Sequence, residues 1–268
     1  MFRVELMKSW RRWRTYLLAA ALGGIPVLIV LAVKLSPPTS AASEDAPPFL
    51  FQILRNGLFA PLTGLAVIQP LFLPLAAGLL AGDGVAGEAQ GGTLRYLLVR
   101  PVARPRLVLG KYGAAMALLG LLLLWVVGCG AFWGGVVFGF KPLPTLSGTT
   151  LSVSQASLRI LAAAGYILLG VSGIAAIGVC ISTLTDSGPG AIVATVILGI
   201  ASEVADQIPS LRVIHPFLPT HGWLSFTDLF RFPVEWSGMR GGVLVSAVYT
   251  AVFLTVALVS FSRRDVVA

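Results

Sequence analysis

The residues able to do chemistry are few and stand apart from one another. Asp83, Glu88, Arg159, Asp186, Glu203 and Asp206 are the charges closest to the long apolar runs, and each falls near the end of a run, not at its middle. A charge at the centre of a membrane span costs about 2.5–3.5 kcal/mol and usually marks an ion or proton path. No midplane carboxylate is present, which argues against a proton- or sodium-driven carrier and toward energy supplied from outside the chain. ATP is not bound here: Gly110-Lys111 is followed by Tyr112, and Pro105 stands where the first glycine of a phosphate-binding loop belongs. His215 and His221 are six apart in a proline-rich stretch with no third ligand in a fixed frame, so spacing alone predicts no metal site. There is no His-Glu-x-x-His pair and no Gly-x-Ser-x-Gly elbow, so no hydrolytic metal or nucleophile and no catalytic residue is expected.

These residues are carried by an apolar chain. Hydrophobic residues make up 56% of it and charged residues 11%, against about 25% charged in soluble domains, so it reads as an integral membrane protein. The net charge of +8 does not indicate a nucleic-acid partner, because the arginines sit in short blocks flanking apolar runs, where lipid topology accounts for them. The two cysteines form no disulfide framework, and Cys129 and Cys180 are expected toward opposite leaflets.

One charged, glycine-punctuated island, Asp83 to Lys111, separates two of the apolar runs. Thr93 is placed to cap a short helix. Leu94, Leu97 and Leu98 then share one face at i, i+3 and i+4. Pro101 ends the helix and Pro105 opens the next one. A leucine-faced helix of two to three turns, ringed by Arg95, Arg100, Arg104 and Arg106, is too short to be stable alone and needs a surface to dock on. Glu88, just upstream, reads as a carboxylate facing a helix N-terminus or a basic partner.

The remaining elements follow from periodicity. Phe2, Leu6, Trp10, Trp13 and Leu17 fall on one stripe at about 100° per residue, with the basic residues off it, so residues 1–15 are expected to lie as a helix in the headgroup layer. Tyr16 to Val33 is longer than the roughly 7–15 residues of a signal-peptide core and reads as an uncleaved first span. A second span covers about Leu58 to Leu80, with Pro61, Pro70 and Pro74 expected to kink it. Further spans are expected over Leu107 to Phe140, Ala156 to Leu184, Gly190 to Val204 and Gly241 to Phe261, six in all. In the fourth, Ser172, Ala176 and Cys180 form a small-residue stripe, suited to packing within the chain or against a second copy. Asp186-Ser187-Gly188-Pro189 is a cap followed by a first-turn proline. Residues 203–238, rich in proline and aromatics, suit short amphipathic helices at the outer interface. The basic residues of both termini and of the island would then share one side, which the positive-inside rule makes cytoplasmic.

Glu88, Gly92-Thr93-Leu94, Leu97-Leu98, Pro101, Arg104 and Lys111 together resemble the first cytoplasmic loop of ABC-2 type transporter permeases, with Ala89 and Gln90 standing where that pattern often carries further charge. The resemblance implies an all-α integral membrane protein with six transmembrane helices, an N-terminal interfacial amphipathic helix and a cytoplasmic coupling helix. It implies a single permease domain over 1–268, with a coupling loop at 81–106 and an external interfacial segment at 203–238. Glu88, Gly92, Thr93, Leu94, Leu97, Leu98, Arg100, Pro101 and Arg104 would couple to the ATPase, and Asp186 and Ser187 would make a smaller second contact. The implied partners are membrane lipid, a second permease copy and two ABC ATPase subunits. ATP and Mg would be bound in those subunits and no cofactor in this chain. The implied location is the bacterial cytoplasmic (inner) membrane, with both termini cytoplasmic. Cargo in such systems ranges over drugs, lipid-linked molecules, peptides and metalloenzyme maturation, and nothing in the sequence selects among them. The residues alone leave open a membrane assembly or anchoring factor that moves nothing, and a stand-alone secondary carrier.

Overall fold

A computed structural model describes residues 2–36, 49–92, 104–145 and 147–263. Helix α1, Phe2–Trp10, is followed after a break by α2, Trp13–Leu35. Arg12 is extended (φ −75°, ψ 132°), and the Thr15 hydroxyl donates to the Ser9 carbonyl at 2.6 Å, closing the corner. The stripe expected over Phe2 to Leu17 is therefore divided: Trp13 and Leu17 belong to the first span, and only α1 is free to lie across its end.

The second apolar run is broken, not merely kinked. Helices α3 (Phe59–Ile68) and α4 (Phe72–Ala77) are separated at Gln69–Leu71, and α4 continues through a π turn at Gly78–Gly82 into α5, Asp83–Gln90. The two halves are bent by 68°. Of the three prolines expected to kink this span, Pro70 alone sits at the break, where it lacks an N–H; Gln69 before it is still helical (φ −64°, ψ −49°), and the chain leaves the helix at Leu71 (φ −121°, ψ −52°). Pro61 and Pro74 fall in the first turns of α3 and α4, where the missing N–H is one that has no intrahelical partner anyway.

Four long helices complete the chain: α6 (Arg104–Phe138), α7 (Val153–Leu184), α8 (Gly188–Asp206) and α9 (Ser237–Arg263). Five helices among the described residues are long and apolar enough to cross a membrane, and the bent pair makes six if counted as one crossing. The fold is that of an all-α, multi-pass membrane protein. A two-residue β-hairpin (Leu143–Pro144 with Thr150–Leu151) joins α6 to α7.

Helix α7 is the axis. In its apolar window 72% of residues are buried, against 11% in α9 and 28% in α8, which present their apolar side chains outward. Its small residues let neighbours approach. A Cβ on Gly173 would lie 3.0 Å from Tyr249, one on Gly178 would lie 3.1 Å from Thr195, and the Ser172 hydroxyl meets Thr250 at 3.0 Å. Ser172 and Gly173 thus pack α7 against α9, and Gly178 packs it against α8. Helix α3 meets α6 more closely still, with Gly57, Gly130 and Gly134 at the crossing.

The helix ends sort into two groups. Arg104 of α6 donates to the Ser262 carbonyl of α9 at 2.9 Å, and the Gly188 amide opening α8 donates to Gln90 at the end of α5 at 3.1 Å. Helix α1 joins the same end. At the other end Gly57 bonds Gly139, and Arg159 of α7 donates to the Leu229 carbonyl at 2.6 Å, pinning a 3-10 segment, Trp223–Phe230. Within residues 203–238 that segment buries Trp223, Phe226, Leu229 and Phe230 and leaves Leu224 exposed. Ser152 forms a reciprocal capping box with Gln155 at the start of α7.

Candidate functional site

The end of α5 is where the charges converge. Glu88 lies in its last turn with 2% of its surface exposed. Its carboxylate meets Lys111 of α6 at 2.7 Å and Lys8 of α1 at 2.5 Å. Lys111, itself buried, reaches Glu5 of α1 at 3.1 Å. Two carboxylates and two ammonium groups, drawn from three helices, form one chain of contacts, Glu5–Lys111–Glu88–Lys8, with no net charge. Buried charges persist only where they are paired and bonded in this way. Glu88 therefore faces basic partners.

A second pairing stands one face away. Asp83, at the first turn of α5, contacts Arg12 at 2.7 Å and Arg14 at 3.6 Å. Helix α5 is thus held at both ends by the α1–α2 corner. Behind it, the Ser182 hydroxyl of α7 accepts from the backbone N–H groups of Val85 and Ala86, each at 2.9 Å. Those groups lie just past the π turn, where the regular ladder is interrupted.

The expected site residues divide as follows. Gly91 and Gly92 close α5, and Gly92 takes a φ of +67°, the left-handed conformation that a helix exit demands and glycine adopts without strain. Ser187 caps α8 by accepting from the Gly190 amide at 3.1 Å, with Pro189 in the first turn. Gly188 packs so closely on Asp83 and Gly87 that α5 and the Asp186–Ser187 turn form one continuous surface. Arg104 lies elsewhere, on the terminal carbonyls of α9. Thr93, Leu94, Leu97, Leu98, Arg100 and Pro101 lie outside the described residues. Beside the junction opens a groove of about 700 Å³, edged by Arg11, Arg12, Trp13, Arg14, Asp83 and Gln90.

Sequence reasoning missed Glu5, Lys8 and Ser182 as parts of this site, and placed Lys111 in the coupling-loop pattern without pairing it to Glu88 or Glu5. One signal was available: Glu5 is the sole acidic residue before Glu44, and a lone carboxylate in a basic, membrane-facing helix needs a partner.

Comparison with known proteins places these features in context. A family model described as "ABC-2 family transporter protein" matches residues 4–266. A probable ABC transporter permease protein, NosY, of Stutzerimonas stutzeri is 36% identical over 130 residues, covering 48% of this chain and 42% of that protein. The NosY protein of Pseudomonas aeruginosa is 43% identical over 66 residues, covering 24% of each chain. The alignments thus span less than half the length of either relative.

Proposed function

The chain belongs to the ABC-2 family of transporter proteins, and from that premise we propose that this permease works as a dimer driven by two separate ATPase subunits. The single observation that carries the reading is the Glu5–Lys111–Glu88–Lys8 chain, buried at Glu5, Lys111 and Glu88. It ties the last turn before residues 93–103 to α1 and to the long span α6.

In this reading the leucine-faced segment holding Thr93, Leu94, Leu97, Leu98, Arg100 and Pro101 docks on an ATPase subunit, on the cytoplasmic side. Asp186 and Ser187 add the smaller contact. A push on that segment reaches α5 through Gly92. Because Glu88 is clamped to two other helices, α5 cannot swing without moving them. The cluster is neutral as a unit, so it can shift as a body without exposing an unpaired charge to lipid. The compliance lies one step further along: the π turn at Gly78–Gly82 and the 68° break at Gln69–Leu71 interrupt the ladder and give the span two articulated halves. Cargo would pass between the two permease copies, in the inner membrane, with both termini in the cytoplasm.

The test is association followed by coupling. Native membranes solubilised mildly should yield a soluble ATP-binding protein together with this chain. Replacing Leu97 and Leu98 by aspartate should release that protein while the permease still inserts. Recovery of the permease with no ATP-binding protein at any stoichiometry would return the choice to an anchoring factor or a secondary carrier.

A further inference from the structure

At the end of α8 remote from the charge cluster, the fold assembles three side chains that the sequence kept apart. Asp206 closes α8, and the chain then passes through two short 3-10 turns, Pro209–Leu211 and His215–Phe217. His221 Nδ1 comes within 2.6 Å of Asp206 Oδ1, and His215 Nδ1 within 3.8 Å of the same oxygen. The three donor atoms all lie within 4.8 Å of one another. We propose that Asp206, His215 and His221 form a binding site for a divalent transition-metal ion of the zinc type.

The donor geometry supports this. Ligands placed tetrahedrally about 2.1 Å from a zinc ion stand roughly 3.4 Å apart. The two distances here, 2.6 and 3.8 Å, straddle that value, so side-chain shifts of about 1 Å close the site. His215 is already oriented for it. Its Nε2 lies 3.1 Å from the Ile208 carbonyl, and a carbonyl accepts only from a protonated nitrogen. In the neutral ring that bond puts the proton on Nε2 and makes Nδ1, 3.8 Å from Asp206 Oδ1, the nitrogen that would ligate, the carbonyl-to-imidazole support that ligating histidines use.

The surroundings fix the loop and leave one side open. The Ser202 hydroxyl meets the Thr220 hydroxyl at 2.7 Å, and the Tyr249 hydroxyl donates to the Phe217 carbonyl at 3.1 Å, so the loop is held on α8 and α9. The side chains of His215 and Asp206 are mostly covered, at 14% and 23% exposure, while that of His221 is 47% exposed. Three protein ligands with an open fourth position describe an exchangeable site, not a closed structural one. Two imidazoles and a carboxylate, with no thiolate, favour Zn²⁺, Ni²⁺ or Cu²⁺ over Cu⁺. The spacing of the two histidines suggested no such site because the third ligand comes from the end of the preceding span.

The chain contains only two histidines, which makes the test specific. The full-length protein, purified in detergent with a tag free of histidine, is titrated with Zn²⁺ by calorimetry. One ion per chain should bind, and His215→Asn and Asp206→Asn should each weaken binding about tenfold or more. Cu²⁺ bound to the unaltered protein should show imidazole nitrogen couplings by electron spin resonance, a readout that needs no variant to fold. Absence of saturable Zn²⁺ binding, undiminished binding in the His215→Asn/His221→Asn double variant, or a Cu²⁺ signal without imidazole nitrogen would each overturn the proposal.

Discussion

Replacing Lys111 by methionine tests the charge cluster most directly. Lys111 is 5% exposed and touches both Glu88 and Glu5. Methionine keeps much of the side-chain volume and removes the ammonium, leaving two carboxylates against a single cation, Lys8, whose side chain is 42% exposed. Removing one partner of a buried pair typically costs about 3–5 kcal/mol, because the remaining charge stays desolvated and unpaired. On the scale for a chain of this length, where 1 kcal/mol moves the midpoint by roughly 2–4 °C, the thermal transition should fall by on the order of 10 °C. The assay is built into the molecule: Cys129 and Cys180 are free thiols, Cys180 is 3% exposed, and a thiol-reactive dye reports their release on heating. Glu88→Gln added to Lys111→Met takes away one charge of each sign. The double variant should therefore be less destabilised than the sum of the two single variants by at least about 1 kcal/mol. A Lys111→Met midpoint within about 2 °C of the unaltered protein, or strict additivity in the double variant, would refute the view that these four side chains act as one unit.

Two further outcomes follow from packing and hydrogen bonding. Gly134→Ala places a Cβ 2.3 Å from the Gly57 carbonyl oxygen, so α3 and α6 must separate; a loss of about 3 kcal/mol is expected, the upper part of the overpacking range. Gly128→Ala, on the same helix with nothing within 4 Å, should be neutral or stabilise by up to about 1 kcal/mol, and equal effects from the two would contradict the α3–α6 crossing. Gln69 is 1% exposed at the break in the second span, and its amide atoms have no hydrogen-bond partner among the described residues. Gln69→Leu should raise stability by about 1–3 kcal/mol, read by the same dye, and a decrease would show that the amide is satisfied by water or by another chain in the membrane.

The residues that determine each long helix are consecutive in the chain, and so the sequence alone determined where the spans run. Hydropathy summed over about twenty residues decides insertion locally, which is why α2, α6, α7, α8 and α9 match the expected spans to within a few residues. The Ser187 cap with Pro189 in the first turn was legible for the same reason, since capping involves groups only a few positions apart. What only the tertiary structure decided are the meetings between distant residues. Nothing local distinguishes Pro70, which breaks a span, from Pro61 and Pro74, which begin helices; the difference is where neighbouring helices let each helix start. Glu5, Glu88 and Lys111 are separated by about a hundred positions between the first and last, and Asp206 is separated from His221 by a folded loop. A charge in a nearly dry setting is stable only beside its counter-charge, but the sequence states the need without naming the partner. The packing of α1 and α5 on α6, and of the 3-10 loop on α8, supplies it.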